Sequence, residues 1–175
     1  LERMEVLEDK NEQLTLAKIE ILTSQGKKEI AISETKQLAE RYPGDLNYKG
    51  LYGDILLQND EDEAALKVFN EILTEEPNNN RAQLSLRSYF MKHQTLEKAD
   101  SMTMRILLNK NTSAEDREYM LRQLISEEGN GNVDSVKILA SFNAIQQSEC
   151  RSPETGLLQA AYMSMKNMAK DSVAR

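Results

Sequence analysis

The sequence predicts an all-α fold, a solenoid of antiparallel helix pairs, and three observations carry that prediction. Residues recur at an interval of 34: Ala31, Ala65 and Ala99 form one column, Leu22, Leu56 and Phe90 a second, and Leu38, Ile72 and Ile106 a third. Each column lies in a stretch with the apolar spacing of a helix. With 5% aromatic residues, no Trp, three Pro and seven Gly in 175 residues, the composition suits long helices better than strands joined by frequent turns. A fixed period of this length marks a repeat architecture, in which each helix–turn–helix unit buries its apolar side only against its neighbours.

Residues 1–11 come first. Carried backward, the register sets Leu1, Met4, Asp9 and Asn11 under Phe69, Ile72, Pro77 and Asn79. The segment therefore reads either as the tail of a preceding second helix or as an extension of the first helix, and both readings stay open. The unit 12–45 keeps Gly26, Ala31, Leu38 and Pro43, but has Ile19 where a small residue is expected and Thr35 in a large apolar column. The unit 46–79 is the most regular. Its small residues Gly53 and Ala65 let two helices approach, Phe69 and Ile72 fill the space around that contact, and Pro77 ends the second helix. The unit 80–113 keeps Leu86, Phe90, Ala99 and Ile106. It has Arg87 in place of the small residue, and Asn111 where the earlier units have Pro43 and Pro77.

From residue 114 to 154 the pattern loosens into a lengthened, degenerate repeat. Met120, Leu121 and Leu124 predict a first helix, Glu128-Gly129-Asn130-Gly131-Asn132 a turn, and Val133, Val136, Leu139, Ala140 and Phe142 a second helix. Pro153 then opens a helix over 155–175, read as the first helix of a further, truncated repeat, with Ala161-Tyr162, Met165, Ala169 and Ala174 at first-helix, turn and second-helix positions. Tyr162, Met163, Met165 and Met168 do not form the polar face of a capping repeat. Together with Leu1 in place of Met, this leads to the expectation that the native protein continues on both sides.

This period, with Tyr52-Gly53, Leu56, Asp60, Ala65, Phe69, Ile72 and Pro77 at matching positions, resembles the tetratricopeptide repeat family. The likeness covers the middle hundred or so residues best. It implies a right-handed superhelix whose concave face, lined mainly by first helices, holds an extended peptide. The family's groove columns fall here on Asn47, Asp54, Gln58, Arg81, Ser88, Lys92, Glu115, Glu118 and Arg122. Family members that grip a C-terminal carboxylate use Lys, Asn and Arg at positions occupied here by Leu16, Glu20, Leu51, Arg81 and Ser85. Only Arg81 is cationic and Glu20 would repel a carboxylate, so that activity is not expected.

Residue chemistry points away from catalysis. The single histidine, His93, lies at a predicted helix end beside Lys92 and Gln94, and the single cysteine, Cys150, allows neither an internal disulfide nor a cysteine-based zinc site. No Ser/His/Asp or metal-ligand spacing occurs, and no cofactor is implied. The run Asp60-Glu61-Asp62-Glu63 falls at a helix start, where acids complement the helix dipole. Asn130 to Asp134 has part of a calcium-loop donor set but lacks the closing Glu.

The net charge is −7, with acids and bases interleaved and no basic block, which excludes a phosphate backbone as the natural partner. No apolar run approaches the roughly 20 residues of a membrane span, and no signal-peptide pattern is present. The expectation is a soluble segment of cytoplasm or periplasm, a non-catalytic scaffold that binds a protein or peptide. The alternative is a spacer or assembly arm of a larger cell-envelope or regulatory protein.

Overall fold

The computed structural model describes residues 2–129, 131 and 133–173, with side chains for 12–129, 131 and 133–166. Among the described residues there are nine helices and no strand. None of the helices is long and apolar enough to cross a membrane. The chain divides into two compact units, Leu1–Leu86 and Arg87–Arg175, which are taken in turn.

The first unit holds α1 (Glu2–Ser24), α2 (Lys28–Arg41), α3 (Leu46–Gln58), α4 (Asp62–Glu75) and the opening of α5 (Asn80–Lys92), and from α1 to α4 each helix packs on the next. Helix α1 has no break between residues 11 and 12. One core cluster joins Ile19, Leu22, Ala31, Leu38 and Ile55, flanked by Leu16, Ile32, Tyr42, Tyr48 and Leu51. Ala65, Phe69 and Ile72 are fully buried, as the burial of one helical stripe requires.

The second unit holds the rest of α5 with α6 (Leu96–Leu107), α7 (Ala114–Gly129), α8 (Ser135–Gln146) and α9 (Pro153–Val173). Its core joins Ile106, Leu107, Met120, Leu121, Leu124, Ile138, Phe142, Ile145, Leu158 and Tyr162. Buried Arg117 closes the end of α6: Nε donates to the Leu107 carbonyl at 2.8 Å, and Nη2 to those of Asn109 and Thr112 at 3.0 Å each. The Leu107 carbonyl is one that the helix C-terminus leaves without a partner, and the other two belong to the loop that follows.

The interval of 34 reappears in the turns. Gly26, Asp60 and Gln94 all have positive φ, 66°, 63° and 54°. Each is followed by a residue, Lys27, Glu61 or Thr95, whose N–H reaches back to the carbonyl of Leu22, Leu56 or Phe90. This is the Schellman closure of a helix, repeated three times in one register. The first-helix caps follow the same step: Asp45, Asn79 and Ser113 accept from the N–H groups of Asn47, Ala82 and Asp116. The next such cap is Ser152, which accepts from the Thr155 N–H, so the step lengthens from 34 to 39. The same 39 separates buried Ala99 from Ile138 and Ile106 from Ile145.

Where the repeat columns change residue size, the facing column changes in the opposite sense. A Cβ added at Gly53 would lie 2.7 Å from the Phe69 ring, so the small residue makes room for the large one. Thirty-four residues earlier stand bulky Ile19 and slender Thr35, both buried, and Thr35 returns its hydroxyl hydrogen to the Ala31 carbonyl at 2.6 Å. Thirty-four later, Arg87 extends to Thr103, its Nε donating to Thr103 Oγ1 at 2.8 Å while Nη2 meets both oxygens of Glu127 at 2.7 and 2.8 Å. The departures at Ile19, Thr35 and Arg87 are thus paired substitutions. Arg87 is only 6% exposed and fully engaged.

Three expectations require correction. Glu128 and Gly129 belong to α7, so the turn begins later than the glycine-rich string suggests. On α8 the core side is Ile138, Ser141, Phe142 and Ile145, whereas Val136 is 72% exposed, Ala140 is exposed and Leu139 half-buried. The polar hydroxyl of Ser141 conceals this face in the sequence, because it is satisfied internally by the Lys137 carbonyl at 2.9 Å. Helix α9 continues to Val173 with no turn near Ala169; the side chains of Met168 and Ala169, and Ala174 itself, lie outside the described residues.

Candidate functional site

The residues expected to line a groove fall into both units. In the first, Asn47 and Gln58 are exposed, whereas Asp54 and Arg81 are brought together as an ion pair. Arg81 Nε and Nη2 donate to Asp54 Oδ2 at 2.9 and 2.8 Å, and Ser85 Oγ donates to Asp54 Oδ1 at 2.6 Å. The Arg81 chain runs close over Gly50, where an added Cβ would lie 2.8 Å from its Cδ. The one cation at the carboxylate-gripping positions therefore already holds a carboxylate of its own chain. Leu16 and Leu51 pack against the core, and Glu20 is exposed.

In the second unit Ser88, Lys92 and Glu115 are exposed, and the structure gives Arg122 a setting of its own. Its side chain is 61% exposed and its guanidinium is held by Glu118 one turn earlier, with Nε and Nη2 at 3.0 and 2.6 Å from Glu118 Oε1. Beside it, Ile125, Leu158, Tyr162 and Met165 complete a cleft of about 220 Å³ between α7 and α9. Its floor is apolar, and the described tyrosine hydroxyl is turned away to donate to Glu128 Oε2 at 3.1 Å. Glu128 also takes Lys166, whose Nζ stands 5.5 Å from the centroid of the Tyr162 ring. Burial, with the bond to Glu128 second, pushes the Tyr162 hydroxyl up to about 12.

The cleft joins Arg122, named from its groove column, to Ile125 and Leu158, which the sequence did not single out. Arg122 lies in a repeat column of α7. Leu158 and Met165 come from α9, whose partner face depends on the lengthened step of 39 residues. Ile125 shares the helix face of Arg122 at i, i+3, a spacing by which it could have been found.

The residues considered for chemistry are dispersed. His93 is exposed just beyond α5, its ring 4.3 Å from that of Tyr89. Cys150 is buried and its Sγ approaches the Leu108 carbonyl at 3.4 Å. Asp62 and Glu63 occupy the first turn of α4, while Asp60 supplies the positive-φ turn and lies 3.9 Å from Lys28. Asp134 caps α8 through the Lys137 N–H at 2.8 Å. Among the described residues no three His, Cys, Asp or Glu side chains form a group that could hold a metal ion. No family model, no curated protein and no solved structure matches this chain.

Proposed function

We propose that this chain is a non-catalytic scaffold of tetratricopeptide-like helix pairs, stacked as a right-handed superhelical solenoid, that binds an extended segment of another protein. The observation that carries the proposal is the α7–α9 cleft, where an exposed cation, Arg122, borders an apolar floor large enough for one bulky side chain. Such an arrangement of anchor pocket and polar rim suits the side chain of a peptide, whose apolar part would fill the floor while its polar part meets Arg122. The repeated turns and caps support the repeat reading, and the Asp54–Arg81 pair argues against capture of a terminal carboxylate in the first unit.

Peptides selected against the full chain from a display library test the reading. Arg122→Gln and Met165→Lys should each weaken the selected peptides by about tenfold or more, the loss typical of an anchor position. Selected peptides that bind both variants as tightly as the parent contradict it.

A further inference from the structure

A second cleft, in the same unit but on its α6–α8 side, is built differently. Met104, Leu124, Val133 and Ala140 line it together with the hydroxyl residues Thr103 and Ser141, around a volume of about 150 Å³. Both hydroxyls are already committed. Thr103 donates to the Ala99 carbonyl at 2.9 Å and accepts from Arg87, and Ser141 donates to the Lys137 carbonyl. The interior therefore offers an occupant dispersion and burial and no free hydrogen-bond donor from these hydroxyls, so an apolar group is what it accommodates best.

The mouth has the opposite character. Asp100 and Lys137 form an ion pair there at 2.6 Å, with side chains 34% and 48% exposed. The Lys137 ammonium is held above its ordinary range first by its bond to Asp100 and then also by the fields of Asp134 and Glu97. Glu97 stands one turn before Asp100 on α6, and Asp134 caps α8 through the Lys137 N–H, so three acids lie near this one ion-paired base. Behind Thr103 the Arg87–Glu127 pair is balanced in charge, and Lys98 lies over the Phe90 ring. Acids therefore outnumber bases at the mouth even with Lys98 counted, since a cation over a ring keeps its charge, and exposed Val136 and Ala140 extend the apolar surface beside it.

From this geometry we infer that the α6–α8 cleft is a docking site for a basic peptide segment that inserts one apolar side chain of leucine size while its lysines or arginines meet Glu97, Asp100 and Asp134. The acidic rim steers and orients such a segment, and the dry interior supplies the affinity. This surface is distinct from the Arg122 cleft and does not depend on it.

The test uses the full chain and a fluorescent lysine-rich peptide carrying a single leucine, with the same peptide bearing serine for leucine and a glutamate-rich version as controls. The leucine peptide should bind at low salt and lose affinity as salt is raised. Ala140→Trp, which blocks the mouth from an exposed position, should weaken it by about tenfold or more. Glu97→Gln and Asp134→Asn should each weaken it by about threefold, the latter with its helix cap retained because Asn caps as well as Asp. Met165→Lys, in the other cleft, should leave it unchanged. Equal binding of the serine or acidic peptide, absence of binding, or indifference to Ala140→Trp overturns the inference. Self-association of the chain abolished by Ala140→Trp would also overturn it, in favour of a second copy as occupant.

Discussion

The Arg87 network gives the sharpest test of how this repeat accommodates an irregular residue. Replacing Arg87 by Ala removes both Nη2 contacts to Glu127, whose side chain is 20% exposed in the parent, and the Nε bond to Thr103. Thr103 contributes little to the loss, because its hydroxyl keeps the Ala99 carbonyl. The main term is the abandoned carboxylate. Breaking a buried pair from one side costs about 3–5 kcal/mol, and the partial exposure of Glu127 places this case near about 3 kcal/mol. Replacing both partners, as in Arg87→Met with Glu127→Met, should instead come within about 1 kcal/mol of the parent, since no charge remains to be desolvated. Leu121, fully buried 34 residues after Arg87, shows that the same column takes an apolar side chain. A double-mutant cycle by urea unfolding should give a coupling of about 2 kcal/mol or more. An Arg87→Ala loss below about 1 kcal/mol, or strictly additive single and double losses, would refute the reasoning.

Three further outcomes follow from the same contacts. Gly53→Ala should destabilise by about 1–3 kcal/mol through collision with the Phe69 ring, and Phe69→Leu should recover part of that loss in thermal unfolding; an unrescued or stabilised variant would contradict the size-exchange account. Gln94→Gly should raise stability by about 1 kcal/mol, because the left-handed conformation at φ 54° carries a Cβ penalty that glycine lacks; a fall in the urea midpoint would count against it. For Tyr162 the folded-state value near 12 lies above the unfolded value of about 10, so the folded form retains the proton longer. Stability should therefore fall as pH rises from about 10 to about 12, where Lys137 contributes in the same sense, and Tyr162→Phe should reduce that slope and remove the late component of tyrosinate absorbance; a slope unchanged by the substitution would contradict the assignment.

Much of the helical framework could be read from residue types because repeats write the same constraint several times. Gly26 and Asp60 mark turns through their tolerance of positive φ, and the three alanine positions Ala31, Ala65 and Ala99 mark the close helix contacts. Gln94 gave no such signal, since glutamine has no preference for that conformation and is held there by the Thr95 bond to Phe90. Arg87 was opaque for a different reason: its fit depends on slender Thr103 and on Glu127, forty residues away, and pairwise compensation cannot be seen one column at a time. The core side of α8 is hidden in the sequence because Val136 is apolar yet exposed and Ser141 polar yet buried, its hydroxyl satisfied by the Lys137 carbonyl. The groove columns located Arg122, yet Asp54 and Arg81 neutralise one another, an outcome set by Gly50 leaving space for the arginine chain.

The proposal that this chain holds a peptide in the α7–α9 cleft is tested most directly by methyl-resolved NMR of the full chain during titration with a display-selected peptide. The account predicts saturable shifts concentrated on Ile125, Leu158 and Met165, with the midpoint moved to about tenfold higher peptide or more in Arg122→Gln. Saturable binding that leaves those three methyl groups unmoved, or a chain for which no selected peptide binds saturably, would contradict it.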